Sequence, residues 1–247
     1  MGMERDSNED DIVKGWAGIM SLPRTIWLER SGKKLMQWPV EEINNLRAKN
    51  VSLESKLLEG GSMLEISGIS ASQADIELAF HLPDLENDLE VLDLDEADEA
   101  SLIAGYSASV RGVYGPFGLL AVASNDLSEH TAIFFRVIRR ENGYAVLMCG
   151  DESKSSLRDN IEKASLGTLL DIDPRHEKIS LRCLIDHSVI ESYGGGGKSV
   201  ITSRVYPKIA IGEEARLYVF NHGTKGVIMS SLEAWSMRKA HINSNTI

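Results

Sequence analysis

Asp186 and Glu191 are the best local carboxylate pair in the sequence, and paired carboxyls are what glycosidic hydrolysis requires. A retaining mechanism needs them roughly 5–5.5 Å apart, one as nucleophile and one as proton donor. Five residues apart on one strand, they point to opposite faces and are too distant, unless the chain turns between them. Asp186-His187-Ser188 holds the residue types of a nucleophilic triad. Neighbours on a strand face opposite ways, however, so the three cannot line up as orienter, base and nucleophile. No catalytic residue is assigned from these patterns.

Gly194 to Gly197 followed by Lys198-Ser199 looks like the end of a phosphate-binding loop. That loop needs a glycine six residues before the lysine and a helix after the serine. Ser192 stands at the first position and the β-branched run Val200-Ile-Thr-Ser-Arg-Val205 at the second. The stretch therefore reads as two strands joined by a glycine turn. His81, His130, His176, His222 and His241 are scattered, and His176-Glu177 lacks a histidine at position 180, so no metal centre is expected. Residues 84–99 hold nine Asp or Glu without the glycine of a Ca²⁺ loop, and read as a solvated acidic loop. No cofactor is expected. Cys149 and Cys183 lie in separate apolar runs and read as two buried thiols rather than a disulfide.

The elements that position these residues follow from periodicity. Ten runs bounded by turn signals read as strands: Ser62–Ile66, Gln73–Phe80, Phe117–Ala123, Thr131–Ile138, Tyr144–Cys149, Ile179–Ile185, Val189–Tyr193, Ser199–Tyr206, Ala215–Asn221 and Val227–Trp235. That spacing predicts an all-β, two-sheet sandwich over 61–247. Residues 16–40, with three of the four tryptophans, read as a three-strand meander that needs a partner to bury both its faces. Pro39 and the spacing of Val40, Ile43 and Leu46 predict a short helix over 40–49, in a linker spanning 41–60. Residues 1–11, with five carboxylates and one arginine, read as a disordered tail.

A net charge of −11 excludes the basic footprint of a nucleic-acid binder, and no apolar run is long enough for a membrane span. The first residues lack the apolar core of a signal peptide, so the chain taken literally is cytosolic. The single Asn-X-Ser/Thr triplet, Asn50-Val51-Ser52, would carry a glycan only in a secreted protein.

Lys14-Gly-Trp-Ala-Gly18, Gln37-Trp-Pro-Val-Glu-Glu42, Gly115-Pro-Phe-Gly-Leu119, Ile185-Asp-His-Ser188, Ile201-Thr-Ser-Arg-Val-Tyr-Pro207 and Glu233-Ala-Trp235, taken together and in order, resemble plant acid invertases and fructan exohydrolases of glycoside hydrolase family 32. The wording near Asp10-Asp11 and Arg30-Ser-Gly-Lys33 is similar to the cell-wall branch. The resemblance implies a five-bladed catalytic β-propeller followed by a β-sandwich. Residues 1–40 would then be a remnant of the last blade, which explains the unpartnered meander.

It implies for the intact enzyme hydrolysis of terminal β-fructofuranosyl bonds in sucrose or fructans, with retention, at the cell wall. The family's three carboxylates come from W-x-N-D-P-N-G, R-D-P and E-C motifs. None occurs here: Ile172 precedes Asp173-Pro174, and neither cysteine follows a glutamate. The resemblance also implies a disulfide partner for Cys149 near position 103, where Ile103 stands, and a frequent further cysteine at Val200. The expected contribution of this chain is structural, with its substrate-binding residues unassigned. The expected macromolecular partner is a second copy or the missing propeller segment, and the alternative reading is a stand-alone, non-catalytic sandwich that binds carbohydrate or protein.

Overall fold

Alternation of apolar and polar residues builds two facing sheets. In the computed structural model, which describes residues 12, 15, 18–82, 85, 107–140, 143–161 and 163–240, fifteen strands are formed. The first two, β1 (Arg24–Leu28) and β2 (Leu35–Pro39), pair only with each other as a ribbon. A 3₁₀ helix, Glu41–Leu46, leads into β3 (Arg47–Leu53), β4 (Lys56–Leu58), β5 (Ser62–Glu65) and β6 (Gln73–His81). Then follow β7 (Phe117–Ala123), β8 (Thr131–Arg140), β9 (Gly143–Asp151), β10 (Ser165–Leu170) and β11 (Ile179–Asp186). The last strands among the described residues are β12 (Val189–Gly194), β13 (Ser199–Arg204), β14 (Arg216–Asn221) and β15 (Val227–Met237).

One sheet runs β10-β9-β8-β7-β14-β5 and the other β13-β12-β11-β6-β15-β3, with β4 also paired to β15. Their inner faces interdigitate. Ile76, Leu78 and Phe80 of β6 and Leu181, Cys183 and Ile185 of β11 meet Phe117, Leu119, Ile133 and Phe135 of the opposite sheet in one core. Phe80 sits edge-on to Phe117 at 5.0 Å between ring centroids, a favoured aromatic geometry. Leu120, Phe134, Leu147, Cys149 and Phe220 form a second cluster, so β7 to β9 are buried on both faces. That is why they read as unbroken apolar runs. The expected two-sheet sandwich is what forms.

Several expectations are corrected. The helix over 40–49 is a six-residue 3₁₀ helix, Glu41–Leu46, that seats Ile43 against Leu184 and Tyr193. Residues 47–53 and 56–58, assigned to the linker, are strands of the seven-stranded sheet, because β15 presents a long ladder that captures them. Gly18, Ile19 and Met20 form no strand, so the meander has two strands among the described residues. Strand β10, with Gly167 in its interior, was not anticipated. Residues 1–11, His241 and all of 84–99 except Leu85 lie outside the described residues.

Candidate functional site: a charged seam between ribbon and sandwich

Buried charged residues stand in three strands that also line the core: Asp75 in β6, Arg182 in β11 and Glu191 in β12. Alternation sends all three away from the core, to the outer face of the seven-stranded sheet. The ribbon and the 3₁₀ helix cover that face. Leu22, Trp38, Val40 and Ile43 pack on Leu184 and Tyr193, and the Trp38 and Tyr193 rings meet edge-on at 5.7 Å.

Glu191 is buried to 1% exposure and is held from the ribbon side. Arg24 donates to its Oε2 through Nη2 at 2.5 Å and Nε at 3.1 Å, and the Leu22 N–H donates to Oε1 at 2.6 Å. Arg24 also donates to Thr202 at 2.9 Å, and the Tyr193 hydroxyl donates to Glu191 at 2.7 Å. Burial opposes the charge of Arg24, but the hydrogen bond and the negative charge of Glu191 outweigh it and raise its pKa. Burial, and then the adjoining Glu191 carboxylate, push the Tyr193 phenol well above its usual range.

Asp75 is fully buried between two guanidiniums. Arg182 donates to it at 3.0 and 2.8 Å, and Arg47 at 2.6 Å. Arg47 also pairs with Glu77 and lies 3.7 Å over the Trp235 ring, while Arg182 donates to Asn44 Oδ1 at 2.8 Å. Three arginines thus face three carboxylates. A buried charge is tolerable only when so matched.

The glycine turn completes the docking. Gly195, Gly196 and Gly197 all have positive φ, and the Gln37 N–H donates to the Gly197 carbonyl at 3.0 Å. A Cβ on Gly197 would collide with the Gln37 carbonyl. The turn that resembled a phosphate loop therefore lets two backbones touch.

The profile of the domain described as "Glycosyl hydrolases family 32 C terminal" matches residues 41–236. The chain belongs to glycoside hydrolase family 32. Residues 1–39 match the "Glycosyl hydrolases family 32 N-terminal domain", so the seam joins segments of the family's two domains. A relative in Arabidopsis thaliana, "Beta-fructofuranosidase, insoluble isoenzyme CWINV6", is 70% identical over 98% of this chain and 44% of its own length. "Fructan 6-exohydrolase" of Beta vulgaris is 49% identical over 98% of this chain and 40% of its own length. The crystal structure of fructan 1-exohydrolase IIa from Cichorium intybus superimposes with a TM-score of 0.91 at 55% identity, covering 96% of this chain and 44% of that one. The chain thus spans less than half the length of these relatives.

Within this family frame, the sequence-predicted groups fall as follows. The chain does turn after Asp186, in a hairpin that pairs Asp186 with Val189 and Leu184 with Glu191. This is the turn on which the opposite-face reading is conditional, and both carboxylates lie on the outer face. They are nonetheless not brought together. Asp186 is exposed and takes hydrogen bonds from Gln73 and His187, whereas Glu191 is locked in the seam. His187 occupies the turn itself with φ of 51°, so no triad is assembled with Ser188. Asp173 lies in a surface turn paired with Arg175 at 2.6 Å, and that pairing draws its pKa down to about 2.

Cys149 and Cys183 are free, buried thiols on different sheets, and burial pushes both up to about 12. Val200 packs beside Tyr193, and Ile103 lies outside the described residues. Among the described residues no cluster of His, Cys, Asp or Glu could hold a metal ion. His81 and His176 are exposed, and His130 and His222 half-buried; burial of His130 lowers its pKa. The seam residues Arg24, Asp75 and Arg182 were not singled out from sequence. The signal was available: a charge inside an apolar strand run requires a matching charge beside it.

Proposed function

We propose that this chain is the C-terminal part of a plant β-fructofuranosidase, and that its sandwich clamps the end of the catalytic propeller. The intact protein would hydrolyse terminal β-fructofuranosyl bonds of sucrose or fructans, at the cell wall, with the chemistry carried upstream of the ribbon. The observation that carries this reading is the buried seam. Matched charges link Arg24, in the segment that matches the N-terminal domain, to Glu191 in the sandwich. The names of the relatives, which include insoluble and cell-wall β-fructofuranosidases and a fructan exohydrolase, support the substrate class and the location. The domain limits are proposed as 1–40 for the end of the last blade and 61–247 for the body of the sandwich, with 41–60 a connection that also adds β3 and β4 to the seven-stranded sheet.

Glu191 is engaged by Arg24 from the ribbon, a pairing suited to fixing two parts in register, while Asp75 and Glu77 are engaged by arginines of the sandwich segment itself. Hexose release from sucrose and inulin tests the assignment. The purified 247-residue chain releases none, while an intact relative assayed in parallel does. Release that follows the short chain through purification, and is lost on substitution of Asp186 or Glu191, overturns it.

A further inference from the structure

We propose that Asn50 is the attachment point of an N-linked oligosaccharide. Asn50-Val51-Ser52 is the only Asn-X-Ser/Thr triplet in the sequence, and it lies in β3, the terminal strand of the seven-stranded sheet. Val51 and Leu53 turn inwards against the core. By alternation Asn50 and Ser52 project from the outer face, and both are exposed. On the far side of β3 no strand is paired among the described residues.

Both side chains converge on Glu233. Asn50 Nδ2 donates to Oε2 at 2.9 Å and Ser52 Oγ donates to Oε1 at 2.8 Å, and these bonds hold the Glu233 carboxyl below its ordinary pKa. Attachment is a transfer from a lipid-linked oligosaccharide pyrophosphate. A bond forms from the anomeric carbon to Nδ2, the bond from that carbon to the pyrophosphate oxygen breaks, Nδ2 loses one proton and the lipid pyrophosphate leaves. Nδ2 carries two hydrogens, so one remains on the nitrogen after attachment.

The topology also keeps the triplet accessible during synthesis. The ladder partner of β3 is β15, and Asn50 precedes Glu233 by 183 residues. At about 5–20 residues per second, β3 stays unpaired for roughly 10–40 s after it is made. Once attached, the glycan shields the open edge of the sheet, where unpaired N–H and C=O groups would otherwise template pairing with another chain.

This site rests on the reading of the chain as part of an exported family member, and its test is separable from that reading. The 247-residue chain is translated behind a signal peptide into microsomes, with a flexible tail after Ile247 carrying a control Asn-Gly-Thr triplet. Only molecules modified at the control are scored, so entry into the compartment is guaranteed. The expected result is a second glycosidase-sensitive mass step, lost in Asn50→Gln and Ser52→Ala and retained in Ser52→Thr. Molecules bearing the control glycan alone, or a second step that survives Asn50→Gln, overturn the site and leave the functional reading standing.

Discussion

Replacing Arg24 with Met removes the guanidinium from a carboxylate that is 1% exposed. Glu191 then keeps two donors, the Leu22 N–H and the Tyr193 hydroxyl, and loses both hydrogen bonds from Arg24. Breaking a buried pair by removing one partner costs about 3–5 kcal/mol, and the two surviving donors place this case at the lower end, about 3 kcal/mol. The loss falls on docking of the ribbon, because the sandwich core does not include Arg24. Three kcal/mol corresponds to about a hundredfold in an opening equilibrium, at 1.36 kcal/mol per tenfold. Hydrogen exchange of the Gln37 amide, which bonds Gly197 across the seam, reads this opening directly. Arg24→Met should speed its exchange about a hundredfold, while amides of β8 and β11 change little. Adding Glu191→Gln should recover most of the loss, since the stranded charge is then gone. Less than a threefold change at Gln37, or an equal acceleration in β8, would falsify the seam as a docking device.

Gly197→Ala places a Cβ against the Gln37 carbonyl at a φ of 95°, so ribbon amides should exchange roughly 5- to 150-fold faster, from about 1–3 kcal/mol of strain; an unchanged Gln37 rate contradicts the close approach. Glu129 is fully buried and accepts backbone N–H bonds from Leu157, Lys208, Ile209 and Ala210. Burial raises its pKa, but those bonds outweigh it and hold the folded value below 4.5. Its stabilisation is therefore complete above that unfolded value and is lost as pH falls through the folded one. Urea midpoints measured from pH 6 to pH 3 should fall for the wild type, and Glu129→Gln, less stable at pH 6, should show a shallower fall. With thiol pKa values pushed up to about 12, Cys149 and Cys183 should resist alkylation at pH 8 in the native chain and both react in urea, as mass spectrometry would show.

The strands β6 to β9 and β11 to β15 were legible because each carries an apolar run or alternation bounded by turn residues. The connector was not. Val40, Ile43 and Leu46 have helical spacing, yet only Ile43 is itself buried, and the alternation of Asn50, Val51, Ser52 and Leu53 suits an edge strand once β15 is alongside. Local propensity yields there to a partner nearly two hundred residues away in the sequence. Interior Gly167 hid β10, where pairing with β9 offsets the weak strand preference of glycine. The carboxylate pair at Asp186 and Glu191 shows the limit on the site side. Its residues could be named, but which one faces an arginine depends on a ribbon that precedes them by some 160 residues.

A seam of cross-matched charges also limits how far the two domains can be exchanged. Apolar interfaces tolerate a new partner of similar shape, whereas an unmatched buried charge is penalised strongly, so the seam discriminates against foreign partners as well as binding its own. A chimera cut between residues 39 and 41, at the limits of the two domain matches, would take Arg24 and Trp38 from one parent. Glu191 would come from the other, which would also carry Arg47, Asp75 and Arg182 together as one set. Such hybrids should assemble only between parents that carry the same charges at positions 24 and 191. The heritable unit is then the pair of domains together with its seam, rather than either domain by itself.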